Sequence, residues 1–96
     1  MITVISRPDH EVRLEFADGR VWLHHTVTHW NRTVKRNVER SWEVVLRALE
    51  GFDIWVLCNE HENPMLEKYI SRFGFIYIGD EPDETGEMRK AFKRPN

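Results

Sequence analysis

Asn63-Pro-Met-Leu-Glu-Lys-Tyr-Ile-Ser-Arg-Phe-Gly-Phe75 comes shortly after the apolar run Ile54-Trp-Val-Leu-Cys58, and together they decide the fold. Asn63 suits a helix N-cap, because its side-chain oxygen can accept a first-turn N–H. Pro64 is tolerated next to it, where the missing N–H would have no intrahelical partner. Leu66, Tyr69, Ile70 and Phe73 recur at spacings of three and four, the stripe of a helix with one buried face. Gly74 closes that helix and Phe75 opens a strand running to Ile78. Phe52 to Cys58 is apolar on both sides of the pleat, so it reads as an inner strand. Strand, helix and strand in succession predict a mixed α/β domain.

Upstream, Val34, Val38, Trp42, Val45, Leu46 and Leu49 mark a longer amphipathic helix, with Asn31 or Thr33 at its start and Gly51 at its end. Before it, Glu11 to Phe16 alternates polar and apolar, and Val21 to His29 does the same. Asp18-Gly19 between them is a two-residue hairpin signal, because both turn positions need positive φ. That turn sets Phe16 opposite Val21, Leu14 opposite Leu23 and Val12 opposite His25, with His25 facing inward. Met1 to Ile5 adds a short strand before an Arg7-Pro8-Asp9 turn. Downstream, Gly79 to Gly86 reads as an acidic loop and Glu87 to Lys93 as a last strand. The expected order is β-β-(β)-α-β-α-β-β: an α/β (α+β) fold, residues 1–96 forming one domain with a mostly antiparallel sheet and two main helices.

Ninety-six residues hold one small core, and four Trp, five Phe and two Tyr give it bulk. A single cysteine excludes an intramolecular disulfide framework and points to a reducing, cytoplasmic setting. The longest apolar run is too short to cross a bilayer, and the N-terminus lacks the order of a signal peptide. With 14 basic and 16 acidic residues, the net charge of −2 gives no general attraction to nucleic acid or membrane.

The layout from Val21 to Arg94 resembles the second half of the GNAT acyltransferase superfamily. In that family a strand leads into a pyrophosphate-binding loop and helix, then a central strand, a second helix and a terminal hairpin. Asn63, Leu66 and the Gly74-Phe75 pair fall on matching positions of the second helix, whereas the family's two N-terminal helices have no counterpart before Glu11. No cofactor is expected; the alternative that the resemblance implies is acetyl-CoA, with Arg32, Lys35, Arg36 and Asn63 as the cofactor-binding residues. Two departures count against the reaction. Ile70 occupies the place of the Tyr that protonates the leaving thiolate, and Lys35 and Asn37 stand where the phosphate loop has glycines. The Trp-rich strand, basic helix start, Trp-Val strand, Asn-led helix and acidic loop are also similar to GNAT-like internal virion proteins of short-tailed phages. That likeness implies a phage-derived protein, in the host cytoplasm or the virion, that acts by protein–protein interaction without acetyl transfer. The alternative is an acetyl-CoA-dependent N-acetyltransferase with a non-standard pyrophosphate loop, its substrate amine deprotonated by His29, Glu60 or water.

Other residues carry their own readings. Arg32, Lys35 and Arg36 oppose the helix dipole, which fits either an anion site at the helix start or a solvated face laced by i,i+4 pairs. His24, His25, His29 and the Cys58-x-x-His61 pair raise the question of zinc. On one strand, though, His24 lies opposite His25 and His29, so no metal site is expected. Cys58, ending a buried strand, is expected to be an inert thiol. Trp22 and Trp30 are candidate interface residues if the sheet face opposite Val21 and Leu23 is uncovered, and a protein partner or homodimer then fits. A nucleic-acid binder built on the basic turn and Trp30 is a third reading, which the neutral overall charge disfavours.

Overall fold

The structure, a computed structural model, describes residues 1–59 and 65–96. Its elements are β1 (Ile2–Ser6), β2 (His10–Ala17), β3 (Arg20–Val27), α1 (Arg32–Ala48), β4 (Ile54–Cys58), α2 (Leu66–Tyr69) continued by a 3₁₀ turn (Ile70–Phe73), β5 (Ile76–Pro82) and β6 (Met88–Arg94). The strands form one six-stranded sheet in the order β1-β2-β3-β4-β6-β5. Each neighbouring pair is antiparallel except β3 and β4, which are parallel and joined through α1. The result is a mixed α+β fold with a mostly antiparallel sheet.

The β2–β3 hairpin has the register its turn dictates. Phe16 pairs with Val21, Leu14 with Leu23 and Val12 with His25. Asp18 and Gly19 take φ values of 54° and 72°, the left-handed pair that lets a two-residue loop follow the twist of the strands. Val12, Leu14, Val21, Leu23, His25 and Val27 are buried on one face. The other face of this hairpin is a polar lattice, with Arg13 donating to Thr26 and His24 bonded to Glu15.

Asn31 caps α1, its side-chain oxygen accepting the Val34 N–H at 2.8 Å. Val34, Val38, Trp42, Val45 and Leu46 are all buried against the sheet, and Leu49 packs at the margin of the core. The second helical segment lies on the same side, since Leu66 and Ile70 belong to that core and the Phe73 ring lies 5.4 Å from Trp42. Gly74 closes it at φ 85°, a conformation that strains any residue with a Cβ.

Three expectations need correction. The fourth strand starts at Ile54 rather than Phe52, which is exposed: positive φ at Gly51 turns the chain, leaving Phe52 outside the sheet. The first half of the acidic stretch, residues 79–82, is strand, because Asp80 and Glu81 pair across β5–β6 with the basic Lys90 and Arg89. The actual turn is organised by Asp83, whose carboxylate accepts from Thr85 N, Thr85 Oγ1 and Glu87 N and from Arg89 Nε. Those bonds pull its pKa down to about 2. Finally, β3 ends at Val27, so His29 is not on the strand and shares no strand face with His25.

Candidate functional site

The parallel β3–β4 ladder is short. Val21 pairs with Ile54 and Trp22 with Trp55; beyond them β3 continues to Val27 and β4 to Cys58 with no further pairing between the two strands. Where β3 gives way to α1, Asn31 supplies both its side chain and its carbonyl to the first turn, the latter accepting from Lys35 N. Arg32, Lys35 and Arg36 are all exposed there. Lys35 reaches Glu39 at 3.9 Å, and Arg72 meets the same carboxylate at 3.7 Å. Part of the basic turn is therefore a surface ion-pair lattice, the kind of contact worth a few tenths of a kcal/mol. Asn37 is committed elsewhere, donating to Asp9 Oδ2 at 3.2 Å. Ile70 is fully buried in the core. Asn63, Glu60 and His61 lie outside the described residues.

The two tryptophans part company. Trp22 is half-buried on the sheet face away from the helices, its ring 6.5 Å from Trp55. The Arg20 guanidinium lies over both indoles, 5.6 and 5.0 Å from their centroids, and binds Glu81 of β5. Lys93 covers Trp55 from another direction. Cation–π packing therefore shields part of this face. Trp30 does not share it: past the end of β3, it packs against the hydrophobic core.

The exposed apolar side chains lie largely at the sheet's edges. Met1, Ile2 and Val4 mark β1 at one edge, and Ile76, Tyr77 and Ile78 mark β5 at the other. Strand β5 carries the devices that blunt an edge: Pro82, the charges Asp80 and Glu81, and an irregularity at Tyr77/Gly79. Strand β1, Ile-Thr-Val-Ile-Ser, has neither charge nor proline, only a shift in register between Thr3 and Ile5.

A third region was not anticipated from sequence. His10 opens β2 fully buried, with Nδ1 2.7 Å from Asp9 Oδ1 and Nε2 2.7 Å from the hydroxyl of buried Ser41 on α1. The Asp9 turn is pinned by Thr28, whose N–H and hydroxyl both donate to the Asp9 carbonyl. Burial pushes the Asp9 carboxyl up, but hydrogen bonds from Asn37 and His10 outweigh it and leave the group below the usual carboxylate range. This network borders a cavity of about 770 Å³. The signal in the sequence was a polar residue on each of two buried stripes, His10 ahead of Val12 and Leu14, and Ser41 between Val38 and Val45. Two such residues facing each other need one another as partners.

His25 stands beside His10, ring centroids 5.6 Å apart, and accepts the Trp42 indole N–H at Nδ1. That acceptor role requires Nδ1 to be unprotonated, and burial holds the imidazole neutral with a pKa lowered to about 3. Burial and the nearby Glu67 push the Cys58 thiol up to about 12, the state of an unreactive thiol. Among the described residues no three His, Cys, Asp or Glu side chains gather as a metal site, and no helix is long and apolar enough to cross a membrane. No family model, curated protein or solved structure matches this chain.

Proposed function

We propose that this chain is a GNAT-like, phage-derived protein that acts through protein–protein contact and does not transfer acetyl groups. The observation that carries the reading is the apolar, uncharged edge at β1, with Ile2 and Val4 exposed and its outer backbone groups facing no strand among the described residues. A second copy of the chain is the partner that fits, because two such edges pair antiparallel about a two-fold axis and cover both at once. The contact thus moves from the Trp22 and Trp30 of the sequence reading to the sheet edge. The GNAT-like assignment is supported by the parallel β3–β4 pair enclosing α1, followed by a helix and a terminal hairpin. Lack of acetyl transfer is supported by Ile70 in the core where a proton donor would stand, and by Asn37 and Lys35 where the phosphate loop would need glycine.

One observation favours the alternative, an acetyl-CoA-dependent N-acetyltransferase. The early end of the β3–β4 ladder leaves the strands unpaired where, in that family, the pantetheine lies. Arg32, Lys35 and Arg36 would then meet the pyrophosphate. Calorimetric titration of acetyl-CoA into the purified chain separates the two. The interaction reading predicts no saturable heat, whereas micromolar binding lost in an Arg32→Ala, Arg36→Ala double variant would establish the alternative.

A further inference from the structure

The Asp9–His10–Ser41 chain is arranged in the order carboxylate, imidazole, hydroxyl, with both links at 2.7 Å. An ionised Asp9 can only accept, so Nδ1 of His10 carries the proton. In neutral His10, Nε2 is then left as an acceptor for the Ser41 hydroxyl. Asn37 holds the second Asp9 oxygen, and Thr28 fixes the turn that presents it. Asp9, His10 and Ser41 are all among the residues that line the cavity, Ser41 keeping 7% of its surface exposed. Ile5, Val34 and Val44 give that cavity apolar wall, while Arg7 and Arg40 bring guanidinium groups with no ion pair among the described residues.

We propose that Ser41 is a nucleophile activated by His10, and that the cavity hydrolyses small carboxylic esters bearing an anionic group. Ser41 Oγ attacks the ester carbonyl as its proton passes to His10 Nε2. The tetrahedral oxyanion collapses, and the leaving alkoxide takes that proton and departs as the alcohol. Water then attacks the acyl-serine and gives a proton to His10. Collapse returns that proton to Ser41 and releases the carboxylic acid. Asp9 and Asn37 are positioning residues that hold the imidazole in the tautomer the first step needs. Ser41 lies inside a helix, where the backbone N–H groups serve the helical ladder, so the oxyanion falls to a side chain and Arg40 is assigned to it. Asp9, His10, Asn37, Arg40 and Ser41 are not among the residues assigned to bind acetyl-CoA or to the β1 edge, so the site stands or falls separately from the proposed function.

The test is covalent labelling of the intact chain with an alkyl fluorophosphonate, read by whole-protein mass and peptide mapping. One phosphonyl group is expected on Ser41, absent in Ser41→Ala and unchanged in Ser71→Ala, which alters an exposed serine elsewhere. His10→Asn should slow labelling about 100-fold or more, the usual contribution of a general base. If that variant does not fold, Ser41→Cys tests the same link. The introduced thiol should alkylate with iodoacetamide faster than Cys58, its rate levelling off below the pH at which an ordinary thiol ionises. No Ser41 adduct at saturating probe, or equal labelling of Ser41→Ala, overturns the proposal. An introduced thiol that ionises like a free cysteine overturns the role of His10.

Discussion

His25 shows how one buried residue ties sequence, packing and pH together. It falls on the inward face of β3 because its strand alternates, and the Trp42 N–H meets its Nδ1 2.8 Å away. Its pKa falls from 6.5 in the open chain to about 3 in the fold. Between those values the unfolded chain binds the extra proton, so stability rises with pH through this window and falls as acid is added. The slope from this residue is about 1.4 kcal/mol per pH unit. Well above 6.5 the imidazole is neutral in both states and contributes no pH dependence. Urea titrations at a series of pH values should therefore show His25→Asn losing less stability on acidification than the wild type. Equal slopes would contradict a buried neutral His25. Its inward position was legible in the sequence, since register follows from the turn. Its partner was not, because Trp42 looked like ordinary core material.

Among the elements, the β2–β3 hairpin, α1 and the inner place of β4 were read correctly, whereas the extent of β5, which depends on its distant partner, was not. Hairpin β2–β3 carries its own turn, and α1 carries its cap and stripe, so both followed from the chain alone. Asn31→Ala should cost about 1 kcal/mol in urea unfolding, because the Val34 N–H loses its partner, while Asn31→Asp should retain most of it. An Asn31→Ala variant as stable as the wild type would mean that water replaces the cap at no cost. Strand β5 was misread in part as loop, because acidic residues favour loops until a basic strand pairs with them. Lys90 and Arg89 opposite Asp80 and Glu81 supply that context. The Asp9–His10–Ser41 network was missed for a related reason. Its members are 31 residues apart at the far link, and no local pattern announces that β2 and α1 will bring them together.

For the whole molecule, the sheet has two edges and they are not equivalent. Each carries a register irregularity, but proline and charges guard β5, whereas β1 offers five uncharged residues, with Ile2 and Val4 more than one-third exposed. The two helices sit on one face and polar or cation-covered groups line the other, so the apolar surface left over collects at the rim. Composition gave the size of the core but not this asymmetry, which depends on which strand ends up outermost. The proposed function rests on that asymmetry, and sedimentation equilibrium over a concentration series tests it most directly. A reversible dimer is expected, which Ile2→Lys with Val4→Lys converts to monomer, because lysines on an edge strand block its pairing with another. A wild-type chain that stays monomeric at every concentration, or a dimer indifferent to those two lysines, would contradict it.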